Sequence, residues 1–163
     1  MEKPGIHVDI PGFGRRHFTV LVSDYTGTQS MGGRVGAGVR KRLRQLARVV
    51  DLRILTADTF GTAARELKGI TEPYLLRTSR QDVEKRKLVS VLSLRKVVAI
   101  GNGNNDRLML RAVKRGGGLA IAVDNGEGCS VDALLNANIF IHGAENALDL
   151  LLETPRIKAT LRF

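Results

Sequence analysis

Short apolar runs recur along most of the chain, and each predicts a β-strand. Apolar and polar residues alternate over residues 6–10, a turn is predicted at 11–14, and an apolar run occupies 18–23. Together these segments predict a hairpin that leads into a buried strand. Further apolar runs predict strands at residues 52–55, 74–76, 97–100, 119–123 and 138–141.

Helical patterns fill the intervals between these runs. Ser79 and Asp82 have the spacing of a capping box, which predicts a helix from there to about residue 92. Other helices are predicted at residues 59–67, 105–115, 130–136 and 145–152. One apolar stripe that predicts an amphipathic helix is formed by Val35, Val39, Leu43, Leu46 and Val50. Strands alternating with helices predict an α/β fold, namely a three-layer α/β/α, Rossmann-like parallel sheet with an N-terminal hairpin.

Composition narrows the class of protein. A chain of 163 residues with 43% apolar residues fits one domain, residues 1–163. The lone Cys129 has no cysteine or histidine cluster nearby, so we expect neither a disulfide nor a zinc site, and a reducing, cytoplasmic location. Residues 1–11 lack the apolar stretch of a signal peptide, and no run approaches the roughly 20 apolar residues of a membrane span. We therefore expect no membrane association.

The formal net charge of +10 favours anionic partners, such as phosphorylated metabolites, nucleic acid or acidic membrane surfaces. Much of this charge lies between residues 34 and 53. Arg40, Arg44 and Arg48 recur every four residues, and like charges at that spacing cost about 0.2–0.5 kcal/mol per pair. The favoured interpretation is a solvated helix face; the alternative is that something anionic offsets the repulsion.

In parallel sheets, ligands bind beyond the carboxyl ends of the strands, and three predicted strand ends carry polar residues there. Asp24 begins the turn DYTGT, and a carboxylate at such a place can form an aspartyl-phosphate when cations neutralise the phosphoryl charge. Taken alone, such a segment is more often an ordinary strand-to-loop turn. Thr56 is placed to donate to a phosphoryl oxygen and Asp58 to cap the next helix, although capping by either residue is an equally good interpretation.

A third strand end reads GNGNND over residues 101–106 and brings hard oxygen ligands of the kind that magnesium prefers. The rival interpretation is a dinucleotide-binding loop. It fails in part, because Asp106 replaces the third glycine of that motif and no acid is placed for a ribose.

These three segments, residues 24–28, 56–58 and 101–106, resemble in that order the first, second and fourth motifs of the haloacid-dehalogenase (HAD) superfamily. The likeness is strongest to the phosphorylation domain of P-type ATPases, with its DKTGT, TGD and GDGxND motifs, and to small soluble P-type ATPase-like phosphatases. It spans nearly the whole chain. The resemblance implies a HAD-type fold without a cap domain and a magnesium-dependent phosphatase that acts on a small phosphate ester.

The resemblance also implies roles for individual residues. Asp24 corresponds to the nucleophile and a magnesium ligand, while the Thr26 carbonyl and the Asp106 carboxylate complete the metal contacts together with Asn102. Lys85, with Lys87 as the reserve choice, matches the lysine that steadies the phosphoryl charge. The other expected phosphate contacts are Gly27, Thr56, Ala57 and Asn105, and Thr28 is expected to tie the loop down.

Two departures from the family pattern have consequences. Thr26 stands where phosphatases of this class usually carry a general-acid Asp, so we expect slow turnover. Asn102 stands where the ATPases have an Asp, so we expect weaker metal binding. Without room for a cap, substrate selection falls to short loops such as residues 29–38, or to a neighbouring subunit in a homo-oligomer.

Two other functions remain open. The first is a regulatory or binding module that keeps the phosphate site and barely turns over. The second is nucleic-acid binding by the basic helix Arg40–Arg48, which the net charge allows but which neither the 4% aromatic content nor any recognised motif supports.

Overall fold

The computed structural model describes residues 2–163, which form eight strands and seven α-helices. The strands are β1 (Ile6–Ile10), β2 (Gly14–Phe18), β3 (Val20–Asp24), β4 (Asp51–Thr56), β5 (Tyr74–Leu75), β6 (Val97–Gly101), β7 (Leu119–Asp124) and β8 (Ile139–His142). The helices are α1 (Ala37–Ala47), α2 (Ala63–Glu66), α3 (Gln81–Ser90), α4 (Arg107–Arg115), α5 (Val131–Leu135), α6 (Ala144–Leu152) and α7 (Pro155–Leu161).

Six of the strands form one parallel sheet in the order β5-β4-β3-β6-β7-β8. The chain moves outward from β3 to one edge, then returns to β6 and moves to the other edge. The pair β3 and β6 is therefore the switch point at which α/β sheets bind ligands. The register pairs Asp24 with Leu55 of β4 and Ser23 with Ile100 of β6, so three strand ends lie side by side.

Helices cover both faces of the sheet, which confirms the predicted three-layer arrangement. Residues of α1, α6 and α7 share a buried cluster with Leu21 of β3, whereas residues of α3, α4 and α5 share the other cluster with Val22. Because successive residues of a strand point to opposite faces, a strand buried on both sides reads as an unbroken apolar run.

The predicted hairpin is present as a separate two-stranded sheet. Its strands are β1 and β2, with Ile6 opposite Phe18, and β3 follows after one residue, Thr19. The alternate residues Ile6, Val8 and Ile10 are buried against the main core. The apolar run that begins at Phe18 therefore belongs to two strands, not one.

Two helices differ from the prediction. The helix expected at residues 59–67 is confined to α2, because Asp58 and Gly61 take left-handed conformations, with φ of 53° and 65°. The Asp58 carboxylate then accepts the N–H groups of Thr62 and Ala63, so Asp58 serves the capping role expected of it. Helix α7 was not predicted, although Pro155 at its first position is a helix-start signal.

The predicted capping box at Ser79 and Asp82 is wrong. Helix α3 begins after Arg80 without a side-chain cap, and the Asp82 carboxylate instead forms salt bridges with Arg80 and Arg107. Glu84 turns back over the preceding segment and accepts from the N–H and hydroxyl of Thr78. The acidic residue that stabilises this turn is therefore Glu84.

The arginine row of α1 is partly neutralised within the chain. Arg40 donates to Glu66 at 2.9 Å, and Arg42 forms salt bridges with Asp149 and Glu145. Arg44 is exposed. Arg42 lies outside the row of Arg40, Arg44 and Arg48, so it is the Glu66 carboxylate that offsets part of the repulsion that the sequence predicts. None of the helices within residues 2–163 has the length and apolar character needed to cross a membrane.

Candidate active site

A cleft of about 340 Å³ opens at the carboxyl ends of β3, β4 and β6. It is lined by Asp24, Thr26, Thr56, Ala57, Thr59, Gln81, Asn102, Gly103, Asn105 and Glu127. Two other cavities, of about 400 and 600 Å³, lie at the β5 edge and share Glu72 and Pro73. They are larger, but they hold no comparable convergence of polar groups from several strand ends, so the chemistry points to the smaller cleft.

The loop after β3 is wound tightly around one carbonyl. The Tyr25 carbonyl oxygen accepts the N–H groups of Thr28, Gln29 and Ser30. Gly27 has a φ of 75°, and a Cβ there would lie 2.6 Å from Asn102 Nδ2, so only glycine fits. This turn fixes Asp24 at the edge of the cleft.

A buried lysine beneath the cleft joins the end of β3 to the segment that follows β6. Lys85 Nζ lies 2.7 Å from Asp24 Oδ1 and 2.7 Å from Asp106 Oδ1, and its side chain is fully buried. Lys87, on the same helix, is exposed. Of the two lysines that the sequence offered, Lys85 is therefore the one that reaches Asp24.

The ionisation of this cluster reflects burial and shared charge. Burial and the neighbouring Asp106 carboxylate raise the pKa of Asp24 to about 6, although Lys85 opposes the shift. Burial disfavours the charged form of Lys85, but the two carboxylates outweigh it and raise the pKa of the ammonium. With Lys85 charged and both acids ionised, one negative charge is left over.

The hydroxyl groups of Thr28 and Thr56 form hydrogen bonds with loops at the cleft. Thr28 Oγ1 lies 3.1 Å from both Asp24 Oδ2 and Asn102 Oδ1, so it ties the nucleophile candidate to the loop after β6. Thr56 Oγ1 accepts the Asp58 N–H at 2.8 Å, which leaves the hydroxyl proton to serve as a donor. Thr56 is thus a local turn residue that also lines the cleft.

Asp106 lies under the floor of the cleft and has no exposed surface. Its Oδ2 accepts the N–H groups of Asn102 and Gly103, at 2.9 and 3.0 Å, while Oδ1 is bonded to Lys85. A dinucleotide-binding loop would need such N–H groups for its phosphates, so this arrangement disfavours that interpretation. From this loop, Asn102 faces the cleft rather than Asp106.

The structure brings the residues of the predicted site together in two layers. Gly27, Lys85 and Asp106 lie behind the cleft and contact residues that line it. Asn105 faces the cleft, where its Nδ2 donates to Gln81 Oε1 at 3.0 Å. The other expected residues line the cleft directly: Asp24, Thr26, Thr56, Ala57 and Asn102.

Four cleft residues were not predicted from the sequence: Thr59, Gln81, Gly103 and Glu127. Glu127 is the one with a charge, and it follows β7 between two glycines. The rule that directs attention to strand ends applies to β7 as it does to its neighbours. Applied there, it would have found this carboxylate.

The donor set fits a hard divalent cation. Within residues 2–163, no three His, Cys, Asp or Glu side chains converge as a metal cluster. The Asp24 carboxylate, the Thr26 carbonyl and the Asn102 amide oxygen nevertheless offer the oxygen ligands that magnesium prefers, and magnesium keeps several waters. The residual negative charge of the lysine cluster favours a cation there.

Two solved structures show the same fold. A haloacid dehalogenase-like family hydrolase of Streptococcus pneumoniae, SP0104, is 12% identical with a TM-score of 0.56 and covers 81% of this chain and 97% of that one. The 3-deoxy-D-manno-octulosonate 8-phosphate phosphatase of Moraxella catarrhalis, solved with magnesium, phosphate and KDO, is 17% identical with a TM-score of 0.62 and covers 88% and 91%. The protein therefore has the haloacid-dehalogenase fold, as the resemblance predicted.

One protein is similar to this chain in sequence as well as in family. The uncharacterized protein MJ0073 of Methanocaldococcus jannaschii is 43% identical over 68 residues, which make up 42% of this chain and 69% of that protein. The chain belongs to the same family as this archaeal protein. No model of a known protein family matches the chain.

Proposed function

We propose that this protein is a magnesium-dependent phosphatase that hydrolyses a small phosphate ester through an aspartyl-phosphate at Asp24. The observation that carries the proposal is the Asp24–Lys85–Asp106 cluster, in which one ammonium lies 2.7 Å from both carboxylates at the floor of an open cleft. A nucleophilic carboxylate needs nearby positive charge because it attacks an anion.

The side chains of the cleft have defined tasks in this reaction. Asp24 attacks phosphorus and the bond to the leaving oxygen breaks, so the phosphoryl group passes to Asp24. Thr56 donates its hydroxyl proton to a phosphoryl oxygen, and Lys85 keeps Asp24 ionised and oriented. Ala57 and Asn105 are the remaining phosphate contacts at the cleft, whereas Gly27, also expected as a contact, lies behind the cleft and shapes the turn after Asp24.

Asp24, the Thr26 carbonyl and Asn102 would hold the magnesium ion, with Asp106 ordering the Asn102 backbone from below. When bound, magnesium neutralises phosphoryl charge and so favours attack by an anionic carboxylate. Support for a divalent metal comes from the Moraxella phosphatase, whose structure contains magnesium. The neutral Asn102 side chain leads us to expect weak binding.

We propose a phosphorylated small molecule as the substrate. That Moraxella protein is a 3-deoxy-D-manno-octulosonate 8-phosphate phosphatase, and the cleft of about 340 Å³ suits a compact substrate. We also propose that the chain belongs to the soluble P-type ATPase-like subgroup and acts in the cytoplasm, on the basis of its DYTGT and GNGNND segments and its single cysteine.

Turnover is expected to be slow, because Thr26 carries no carboxylate to protonate the leaving group or to activate the water that hydrolyses the phosphoenzyme. Good leaving groups, such as aryl oxides, need that proton least. The same feature favours one alternative, a binding or regulatory module that becomes phosphorylated and is seldom turned over.

The test is phosphate release from an aryl phosphate with magnesium, with and without a chelator. We expect chelation to abolish release, and Asp24→Asn to abolish it with an unchanged circular dichroism spectrum. Asp132→Asn, at an exposed position on α5, is the matched control and should retain activity. Release that persists in Asp24→Asn would refute the nucleophile, and a phosphoenzyme without release would establish the module.

A further inference from the structure

Glu127 lines the cleft and lies in a loop that is held by hydrogen bonds to Asp124. The Asp124 carboxylate, at the end of β7, accepts the N–H groups of Gly126 and Gly128, each at 2.9 Å. Both glycines take left-handed conformations, with φ of 99° and 91°. The chain therefore turns sharply on either side of Glu127, and its side chain projects from a short, pinned loop.

The Glu127 carboxylate reaches across to the loop after β3. Oε1 accepts the Gly32 N–H at 2.5 Å. Oε2 lies 3.1 Å from the point that a Cβ on Gly27 would occupy. Gly27 is the residue that follows Thr26 in the sequence. The acid at this wall of the cleft thus lies next to the segment in which Thr26 replaces a general-acid residue.

The other acids of the site are not free for proton transfer. Asp24 is the nucleophile of the proposed reaction, and Asp106 has no exposed surface and is bonded to Lys85. Among the residues that line the cleft, Glu127 is therefore the carboxylate that remains for acid–base work.

We propose that Glu127 is the general base that releases phosphate from the aspartyl-phosphate; this rests on the phosphatase function proposed above. A water oxygen attacks phosphorus and its proton passes to a Glu127 oxygen. The bond between phosphorus and the Asp24 oxygen breaks, its electron pair returns to Asp24, and inorganic phosphate leaves. Proton transfer from Glu127 to solvent restores the starting state.

If Glu127 had only a structural role, its variants would behave differently. The bond to Gly32 ties two loops together, and a glutamine can also accept that N–H through its amide oxygen. Glu127→Gln therefore keeps the tie and removes the base, whereas Glu127→Ala removes both. The two variants separate the roles.

The experiment follows an aryl phosphate through the first turnover and the steady state, with acid-quenched, hydroxylamine-sensitive phosphoenzyme measured alongside. Glu127→Gln should keep the initial burst of aryl alcohol, which reports phosphoryl transfer to Asp24. Its steady-state rate should fall by about 10²-fold or more, the usual contribution of a positioned base, and phosphoenzyme should accumulate. Glu72→Gln, at an exposed position at the β5 edge, should match the wild type.

Two results would overturn different parts of the proposal. Wild-type turnover and phosphoenzyme lifetime in Glu127→Gln, with a defect confined to Glu127→Ala, would overturn the general-base role and leave the phosphatase intact. Activity that survives Asp24→Asn would instead overturn the phosphatase proposal and this inference with it.

Discussion

Lys85 and Asp106 form a salt bridge of 2.7 Å in which neither side chain is exposed to solvent. The same ammonium lies 2.7 Å from Asp24, so one side chain from α3 joins the end of β3 to the segment that follows β6. Replacing one member of such a cluster leaves uncompensated charge in the protein interior. Folding and chemistry therefore depend on the same contacts.

The first prediction concerns this dependence. Lys85→Met should lower the free energy of unfolding by about 3–5 kcal/mol, because it leaves two carboxylates buried without their cation. Lys87→Met is the matched control, since Lys87 is exposed on the same helix, and it should change stability by no more than about 0.5 kcal/mol. Urea unfolding without metal measures both. Equal effects of the two substitutions would show that the buried contacts contribute no more than a surface lysine.

The second prediction is a pH dependence of magnesium binding. The pKa of Asp24 is raised from its ordinary 3.8 to about 6. Between those values the folded, metal-free protein holds a proton that the unfolded chain has released, so the contribution of Asp24 to stability falls as pH rises. Magnesium needs the ionised carboxylate and competes with that proton.

Magnesium affinity should therefore increase about tenfold per pH unit as pH rises towards 6 and level off above it. Isothermal titration calorimetry from pH 5 to 7.5 measures this, and Asp24→Asn should give weak, nearly flat binding. A flat profile in the wild type would show that Asp24 does not bind the ion.

The third prediction concerns Asn102, which lines the cleft beside Asp24. Asn102→Asp adds a carboxylate and should tighten magnesium binding about tenfold, equivalent to about 1.4 kcal/mol. Asn104→Asp adds the same charge at an exposed position of the same loop and should change affinity little. If both variants tighten binding equally, the effect is one of general charge and not of coordination.

The fourth prediction is that Thr26→Asp raises steady-state phosphate release from an alkyl phosphate, whose poor leaving group needs a proton. A carboxylate at this position can protonate the leaving oxygen, and positioned acid–base groups contribute about 10²–10⁴-fold. The added negative charge opposes this by weakening phosphate binding, so we expect a gain at or below the lower end of that range. Thr26→Asn, of similar size without an acid, is the control. A folded Thr26→Asp no faster than Thr26→Asn would show that leaving-group protonation does not limit the reaction.

The main strands were predictable because both faces of the sheet are covered. Residues 97–100 and 119–123 read as unbroken apolar runs, and each lies in a strand of the structure, β6 or β7. The meeting of Asp24 and Asn102 then follows from parallel topology. Spacing favours Lys85 and leaves Lys87 as the reserve choice, and the packing of α3, which buries Lys85, separates the two lysines.

The start of helix α3 and the position of Glu127 were less predictable from the sequence than the main strands. Ser79 and Glu84 are both side chains that can accept nearby backbone N–H groups, and the spacing of the residues does not show that Glu84 makes the contact. Glu127 belongs to no motif of the resemblance. Its place depends on a loop crossing from β7 to Gly32, a contact between residues 95 apart in sequence.

The winding of the β3 loop around the Tyr25 carbonyl has a consequence for rate as well as for shape. Three N–H groups converge on that one oxygen, so the conformational entropy of the loop is lost when the chain folds rather than at each encounter with substrate. The nucleophile is then already in position when a phosphate ester arrives. Phosphoryl transfer to Asp24 should accordingly show little dependence on solvent viscosity, unlike a reaction that waits for a lid to close.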